Sequence, residues 1–170
     1  KIQKSMMVIL AVTLVLFYAI LSVILYNENL SLLQSEVQQE AKYIRTAINI
    51  SGSEYLEEMD NVDVQTRVTR IAEDGSVLYD SRRDEDMLEN HRSRQEVREA
   101  LESGEGEDMR RSVTVQQDMY YYALLLDDGT VLRVSKAADS LISTALGVIP
   151  VIGGLGVLMV LFAMLLAKWQ

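Results

Sequence analysis

Two long apolar runs lie at opposite ends of the chain, and every acidic residue lies between them. The first runs from Met6 to Tyr26 and the second from Ala145 to Ala167, and neither contains a charged residue. Each exceeds the roughly 20 residues that a helix needs to cross a hydrocarbon core about 30 Å thick. The pattern predicts a cytoplasmic start at residues 1–5, a membrane helix at 6–26 and a folded domain at 27–140. A second membrane helix at 141–167 and the beginning of a cytoplasmic region at 168–170 follow. A small domain hung between two spans is suited to passing a signal across a membrane and poorly suited to soluble catalysis.

Basic flanks set the expected orientation. Lys1 and Lys4 precede the first run and Lys168 follows the second, which places both ends in the cytoplasm and the acidic middle outside. All 25 acidic residues fall in that middle, against 13 of the 16 basic ones, a balance of −12. A cleaved signal peptide is a poor fit to the first run, whose apolar part is too long and which no small-x-small site follows. The chain opens on Lys1 and stops two residues past Lys168, so it is expected to be a fragment cut where a cytoplasmic region begins. It contains no cysteine, which excludes disulfides and thiolate metal sites. A domain of roughly 115 residues is large enough to stand on its own core.

Periodicity gives the elements of the middle region. Leu30, Leu33, Val37, Ala41, Ile44 and Ile48 recur at steps of three and four, which predicts a helix from Asn27 to about Ile50. No proline or glycine separates it from the first span, so one long helix is allowed. Its stripe suits a core, or a seam with a second copy. Ser51-Gly52-Ser53 ends the helix, and 54–59 is expected to form a short turn of helix. Residues 65–72 and 76–80 read as strands joined at Glu73-Asp74-Gly75, where glycine supplies the left-handed position of a tight turn. Ser93-Arg94-Gln95-Glu96 has the pattern of a capping box opening a short helix through Val97, Ala100 and Leu101. Ser103-Gly104 closes that helix, and 105–108 is expected to be an acidic loop. Residues 110–116 alternate as a strand, with Val113 and Val115 on one face. Met119 to Leu126 is apolar nearly throughout, as a central strand covered on both sides would be. Asp127-Asp128-Gly129 turns into a last strand at 130–135. The sum is an α+β domain: five antiparallel strands with helices on one face.

The candidate chemistry is binding, and no residue is expected to be catalytic. Arg82, Arg83, Arg92, Arg94, Arg98, Arg110 and Arg111 crowd one region, and arginine forks suit carboxylate or phosphate. Ten acidic residues share the 82–111 window, so a solvated mixed-charge surface is the competing reading. Asp84-Glu85-Asp86 with Glu105, Glu107 and Asp108 lacks any rigid ligand frame, and no metal site is expected. His91, the only histidine, titrates near neutral pH if exposed. Tyr120 and Tyr122 share a strand face that, with Tyr79, is placed to line a cavity, while Tyr121 points the other way. The candidate ligand-binding set is therefore Tyr79, His91, Arg92, Arg94, Arg111, Tyr120 and Tyr122. Gly147, Pro150, Gly153, Gly154 and Gly156 crowd the second apolar run, where glycines permit close helix approach.

The order of elements resembles a single Cache domain, the PAS-like extracytoplasmic sensor fold. Local phrases are closer still. Arg67-Val68-Thr69-Arg70-Ile71, Glu73-Asp74-Gly75-Ser76-Val77-Leu78-Tyr79-Asp80-Ser81, Glu89-Asn90-His91 and Arg94-Gln95-Glu96-Val97-Arg98-Glu99-Ala100-Leu101 resemble the sensor regions of PhoR-type bacterial sensor histidine kinases. Arg111-Ser112 and Tyr122-Ala123 fit the later strands of that pattern. The resemblance implies a bacterial two-component kinase whose HAMP linker, phospho-accepting histidine and ATP-binding domain follow Gln170. ATP and magnesium would belong to that part, and a response regulator would be its cytoplasmic partner. It also implies a lipid bilayer, a homodimer, and an extracytoplasmic ligand or envelope protein as partners, with no nucleic acid. A chemoreceptor, a cyclic-di-nucleotide enzyme or a non-signalling two-span adaptor are the alternatives. His91 is expected outside the membrane, so it is not the phosphoacceptor.

Overall fold

The computed structural model describes residues 2–52, 54–59, 66–82, 89–112, 117–138 and 151–159, together with 162 and 165. Contacts divide the chain into two units, residues 31–139 and the pair of segments 1–30 and 140–170.

The second of these units contains the start of helix α1, which runs from Ile2 to Ser51 without a break. Its N-terminal stretch is long and apolar enough to cross a membrane, and none of that window is buried. Residues 151–159 are also helical. A Cβ added at Gly156 would stand 3.4 Å from Leu14 Cδ1 of α1, so a residue without a side chain lets the two helices approach. Gly147 and Pro150 lie outside the described residues.

The domain, residues 31–139, is an α+β sandwich. Beyond the end of α1 come α2 (Glu54–Met59), β1 (Arg67–Ile71), β2 (Val77–Asp80), α3 (Gln95–Ser103), β3 (Glu105–Arg111), β4 (Asp118–Leu125) and β5 (Val131–Ala137). The five strands form one sheet in the order β2-β1-β5-β4-β3, with every neighbour antiparallel. The last strand in sequence is thus the middle one in space. β4 is buried along six consecutive residues, as its apolar composition requires, but it lies next to the edge strand β3 instead of at the centre.

Two helices cover the two faces, where the sequence pattern led to helices on one. The expected stripe of α1 holds: Leu33, Val37, Ala41, Ile44 and Ile48 are all buried. Burying a Leu, Ile or Val side chain stabilises by about 1.5–3 kcal/mol, so this stripe anchors α1 to the domain. Gln38 of α1 donates to the Tyr120 hydroxyl at 3.2 Å, which identifies the α1 face as the one carrying Tyr120, Tyr122, Leu132 and Val134. On the other face Val97 and Ala100 of α3 pack with Ile71, Ala123 and Val131. Strand alternation makes this division unavoidable, because successive side chains leave a strand on opposite sides.

Three local expectations are corrected. Ser93 does not cap α3: the capping position is Arg94, with extended backbone and no side-chain cap bond. Glu96 cannot complete a capping box because its carboxylate is turned into the sheet. Residues 105–108 are not a loop but the first half of β3, directly after the left-handed Gly104 that ends α3. The strand expected at 110–116 accordingly ends at Arg111, and Val113 and Val115 lie outside the described residues.

Candidate functional site: a buried polar layer under α3

The middle strand carries the unexpected feature. Along β5, Leu132 and Val134 point toward α1, while Arg133 and Ser135 point toward α3, and all four are buried. Charged and hydroxyl side chains inside a core are costly unless they meet partners. Here register supplies several. Thr69 pairs with Arg133 and Arg67 with Ser135 on one side; Ala123 and Tyr121 occupy the same rows on the other. Thr69, Tyr121, Arg133 and Ser135 therefore lie side by side on one face.

Glu96 enters this layer from the first turn of α3 with its side chain fully buried. It accepts from Arg110 in a two-pronged pair, Nη1 to Oε2 at 2.7 Å and Nη2 to Oε1 at 2.9 Å. Asp108 also accepts from Arg110 Nη1. The Arg110 guanidinium lies 4.0 Å from the centre of the Tyr121 ring, close enough for a cation–π contact. Burial raises the Glu96 carboxyl, but its bonds to Arg110 and the charges of Arg110 and Arg133 outweigh this and hold it below the ordinary carboxylate value. A second pair closes the other end of the layer. Arg67 Nε donates to both oxygens of Asp80 at 3.0 and 2.9 Å, and Thr69 adds its hydroxyl to Asp80 at 2.9 Å.

Arg133 is left between these pairs with weaker contacts. Its Nη1 reaches Glu96 Oε1 at 3.4 Å, and its Nη2 reaches the Thr69 hydroxyl at 3.3 Å. Burial lowers its pKa; Glu96 opposes that, and the nearby Arg67 and Arg110 charges add to it. Three buried polar atoms have no hydrogen-bond partner among the described residues: Arg133 Nε, Ser135 Oγ and His91 Nδ1.

His91 is held at this layer by a backbone latch. In the β1–β2 turn, Asp74 Oδ1 accepts from Ser76 N at 2.9 Å and from the Ser76 hydroxyl at 2.6 Å, and Gly75 takes a left-handed φ of 88°. The turn docks on residues 90–92. His91 N donates to Gly75 O at 2.8 Å, Asn90 Nδ2 donates to Asp74 O at 2.9 Å, and Arg92 Nη1 donates to Glu73 O. A Cβ at Gly75 would come within 2.4 Å of Asn90 Oδ1 and 2.5 Å of Arg92 N, so only glycine allows the approach. The Asp74-Gly75 and Glu89-Asn90-His91 phrases of the sequence are thus two halves of one contact. Burial, and then the charges of Arg133, Arg94 and Arg67, lower the His91 pKa to about 4, so the ring is neutral at physiological pH.

The residues singled out from the sequence separate into groups. His91 reaches the buried layer, and Arg94, half-buried at the start of α3, is close enough to act on it electrostatically. Arg92 is exposed and serves the latch, and Arg111 is exposed at the end of β3. Tyr79 is on the edge strand β2, opposite Arg70. Tyr120 and Tyr122 lie on the α1 face, across the sheet from His91, with Tyr120 donating to Glu107 at 2.5 Å and Tyr122 to Glu105 at 2.6 Å. Burial and the adjacent glutamates push both phenols up. Tyr122 also borders a cleft of about 310 Å³ with Gln38, Lys42, Glu99, Glu105 and Glu107. No group of three or more metal-ligating side chains occurs among the described residues, and Asp84-Glu85-Asp86 lies outside them. Arg133, Ser135, Thr69 and Glu96 carry the layer but have no motif; strand register brings the first three together, and α3 delivers Glu96.

The architecture is thus α+β: a long N-terminal helix, a five-stranded antiparallel sheet and a second helix on its far face. The family model described as single Cache-like matches residues 26–136, and the chain belongs to that family. Single Cache-like domains are sensor domains, typical of histidine kinases and chemoreceptors. Among solved structures, the extracellular domain of rpHK1S-Z16, described as a histidine kinase, is similar over 52% of this chain and 38% of its own, with 16% identity and a TM-score of 0.41. The Bacillus subtilis YkuI protein, which has an EAL domain and was solved with c-di-GMP and calcium, is similar over 65% of this chain and 34% of its own, with 13% identity and a TM-score of 0.47. The chain thus corresponds to 38% and 34% of the length of those two chains. No curated protein matches the sequence.

Proposed function

We propose that this chain is the extracytoplasmic sensor region of a membrane-anchored signalling protein, a bacterial sensor histidine kinase of the PhoR type. A signal is received at the polar layer beneath α3 and passed to the membrane through α1. The observation that carries this reading is α1 itself. One unbroken helix, Ile2–Ser51, contains both the apolar run and the stripe buried against the sheet. A change in how the sheet packs on Val37, Ala41 and Ile44 therefore acts on the same helix that carries the apolar run. Two copies act as a homodimer in the bilayer, and the kinase that uses ATP and magnesium and serves a response regulator lies in the rest of the protein.

A proline in a helix interior removes a backbone donor and clashes with the preceding turn, at a cost of about 3 kcal/mol or more. Glu28→Pro is placed between the apolar run and the buried stripe. In a chimera joining this chain to a histidine kinase output domain, Glu28→Pro should abolish the effect of domain substitutions such as Val37→Ala on autophosphorylation. The circular dichroism and thermal transition of the domain should be retained. If Val37→Ala changes kinase output equally with and without the proline, α1 is not the transmitting element and the reading fails.

A further inference from the structure

We infer that two copies of this domain join edge to edge along β3, with residues 107–111 paired antiparallel about Met109. This rests on the sensor reading above, in which two copies act together, and names the surface by which they meet. β3 closes the sheet on one side, pairing only with β4 among the described residues. Antiparallel ladders alternate between residues that exchange both backbone bonds with the neighbouring strand and residues that aim theirs away from it. Leu125 N donates to Gly104 O at 2.9 Å and Ser112 N to Gln117 O at 2.8 Å, which fixes the phase: the even-numbered residues bond to β4. Glu105, Glu107, Met109 and Arg111 therefore direct their N–H and C=O groups outward. Two contacts agree with this phase. Glu107 N donates outward to the Glu99 carboxylate at a long 3.4 Å, and Glu105 O accepts from the Ser103 hydroxyl at 2.9 Å. The backbone of Met109 and Arg111 has no hydrogen bond on that side among the described residues. An open row of this kind is a template for a further strand.

The side chains select the partner. Charges on an edge strand commonly block pairing; here their order allows one pairing and opposes the others. Residues 107–111 read Glu-Asp-Met-Arg-Arg, acids before Met109 and bases after it. About a two-fold axis at Met109, Glu107 stands opposite Arg111 of the second copy and Asp108 opposite Arg110, and the same again by symmetry. Opposite charges directly across a ladder stabilise it, and like charges destabilise it. Moving the axis one residue, to Asp108 or Arg110, sets that residue against its own copy, like against like. A parallel in-register pairing does the same at every charged position. The favoured register also matches the outward-facing backbones: Glu107 with Arg111, and Met109 with Met109, are the pairs that exchange hydrogen bonds. Glu107, Met109 and Arg111 are exposed, Met109 to 38%. Its apolar side chain meets its own twin on the axis. Such an interface uses the same patch on both subunits and closes at two copies.

The test uses the whole chain in isolated bacterial membranes and follows disulfide cross-linking on a non-reducing gel. The chain has no cysteine, so each introduced thiol is unique. Residues facing each other as a hydrogen-bonded pair have Cα atoms about 5.5 Å apart, within the range that a disulfide spans. Under mild oxidation Met109→Cys should form a dimer about tenfold faster than Leu78→Cys, an exposed position on the opposite edge strand β2. Arg111→Glu, added to Met109→Cys, puts a carboxylate opposite Glu107 at both ends of the pairing and should slow cross-linking about tenfold. Adding Glu107→Arg as well restores opposite charges and should recover most of the loss. Glu107 also accepts from Tyr120, so a thermal melt checks that this last variant is folded; if it is not, the Arg111→Glu comparison decides alone. The inference is overturned if Met109→Cys cross-links no faster than Leu78→Cys, or if it joins another protein instead of a second copy. It is equally overturned if Arg111→Glu leaves the rate unchanged, or if the folded variant carrying both charge changes stays slow. None of these outcomes bears on Glu28→Pro, which reads transmission along one chain, so the interface and the sensor role fail separately.

Discussion

Among single residues, His91 has the clearest consequence in solution. Its ordinary pKa of 6.5 falls to about 4 in the fold, because burial and the charges of Arg133, Arg94 and Arg67 oppose a second positive group there, with Glu96 only partly offsetting them. Between those two values the unfolded chain binds more protons than the folded one. Stability is therefore complete above about pH 6.5 and declines as pH falls toward 4. Glu96, Asp74 and Asp128 are held below their own ordinary values of 4.5, 3.8 and 3.8, so their losses begin further down. His91→Gln should flatten the decline between pH 6.5 and about 4 in a series of thermal melts. An unchanged slope would show that the histidine is not buried as a neutral ring. The sequence marks His91 as the lone titratable group near neutrality, but use as a pH sensor requires exposure, and His91 is buried where the latch holds it.

At the scale of elements, the two Asp-Gly turns make a matched pair. Asp74-Gly75-Ser76 and Asp128-Gly129-Thr130 share the same side-chain bonds, from Ser76 or Thr130 back to the aspartate. Both glycines have left-handed backbone, φ 88° at Gly75 and 82° at Gly129. A Cβ at Gly129 meets nothing within 4 Å, whereas one at Gly75 collides with Asn90 and Arg92. Gly129→Ala should thus cost only the backbone penalty, about 1 kcal/mol. Gly75→Ala should cost more, on the order of 2–3 kcal/mol, by adding the broken latch. Urea denaturation of the two variants decides this, and equal losses would mean that the latch contributes little.

These elements also show what was legible in advance. The α1 stripe, both glycine turns and the apolar β4 follow from period and turn chemistry. The polar layer does not. Arg133 and Ser135 alternate with Leu132 and Val134, which reads as a strand with one wet face, and Glu96 reads as half of a capping box. Only the placement of β5 in the middle of the sheet, and of α3 over it, turns that face inward. Alternation also puts Tyr120 and Tyr122 on one face with Tyr121 opposite, and the helix covering their side is α1.

At the scale of the molecule, the central question is which side of the membrane holds the domain. The chain contains no cysteine, so any introduced thiol is unique. Glu102 is exposed near the end of α3. A Glu102→Cys variant in intact bacterial cells should react with a membrane-impermeant maleimide without permeabilisation, judged by a gel shift. Labelling only after the membrane is opened would place the domain inside and remove the basis for an extracytoplasmic receptor.

The mixed character of β5 has one more effect, which concerns assembly of the sheet. Side chains alternate along a strand, so sliding β5 by a single position against β1 and β4 would drive Arg133 into the oily stripe of α1 and bring Leu132 against carboxylates. Few misaligned pairings survive such a mismatch. The central strand therefore measures its own alignment, and its buried ionic residues act as the gauge by which the sheet closes correctly.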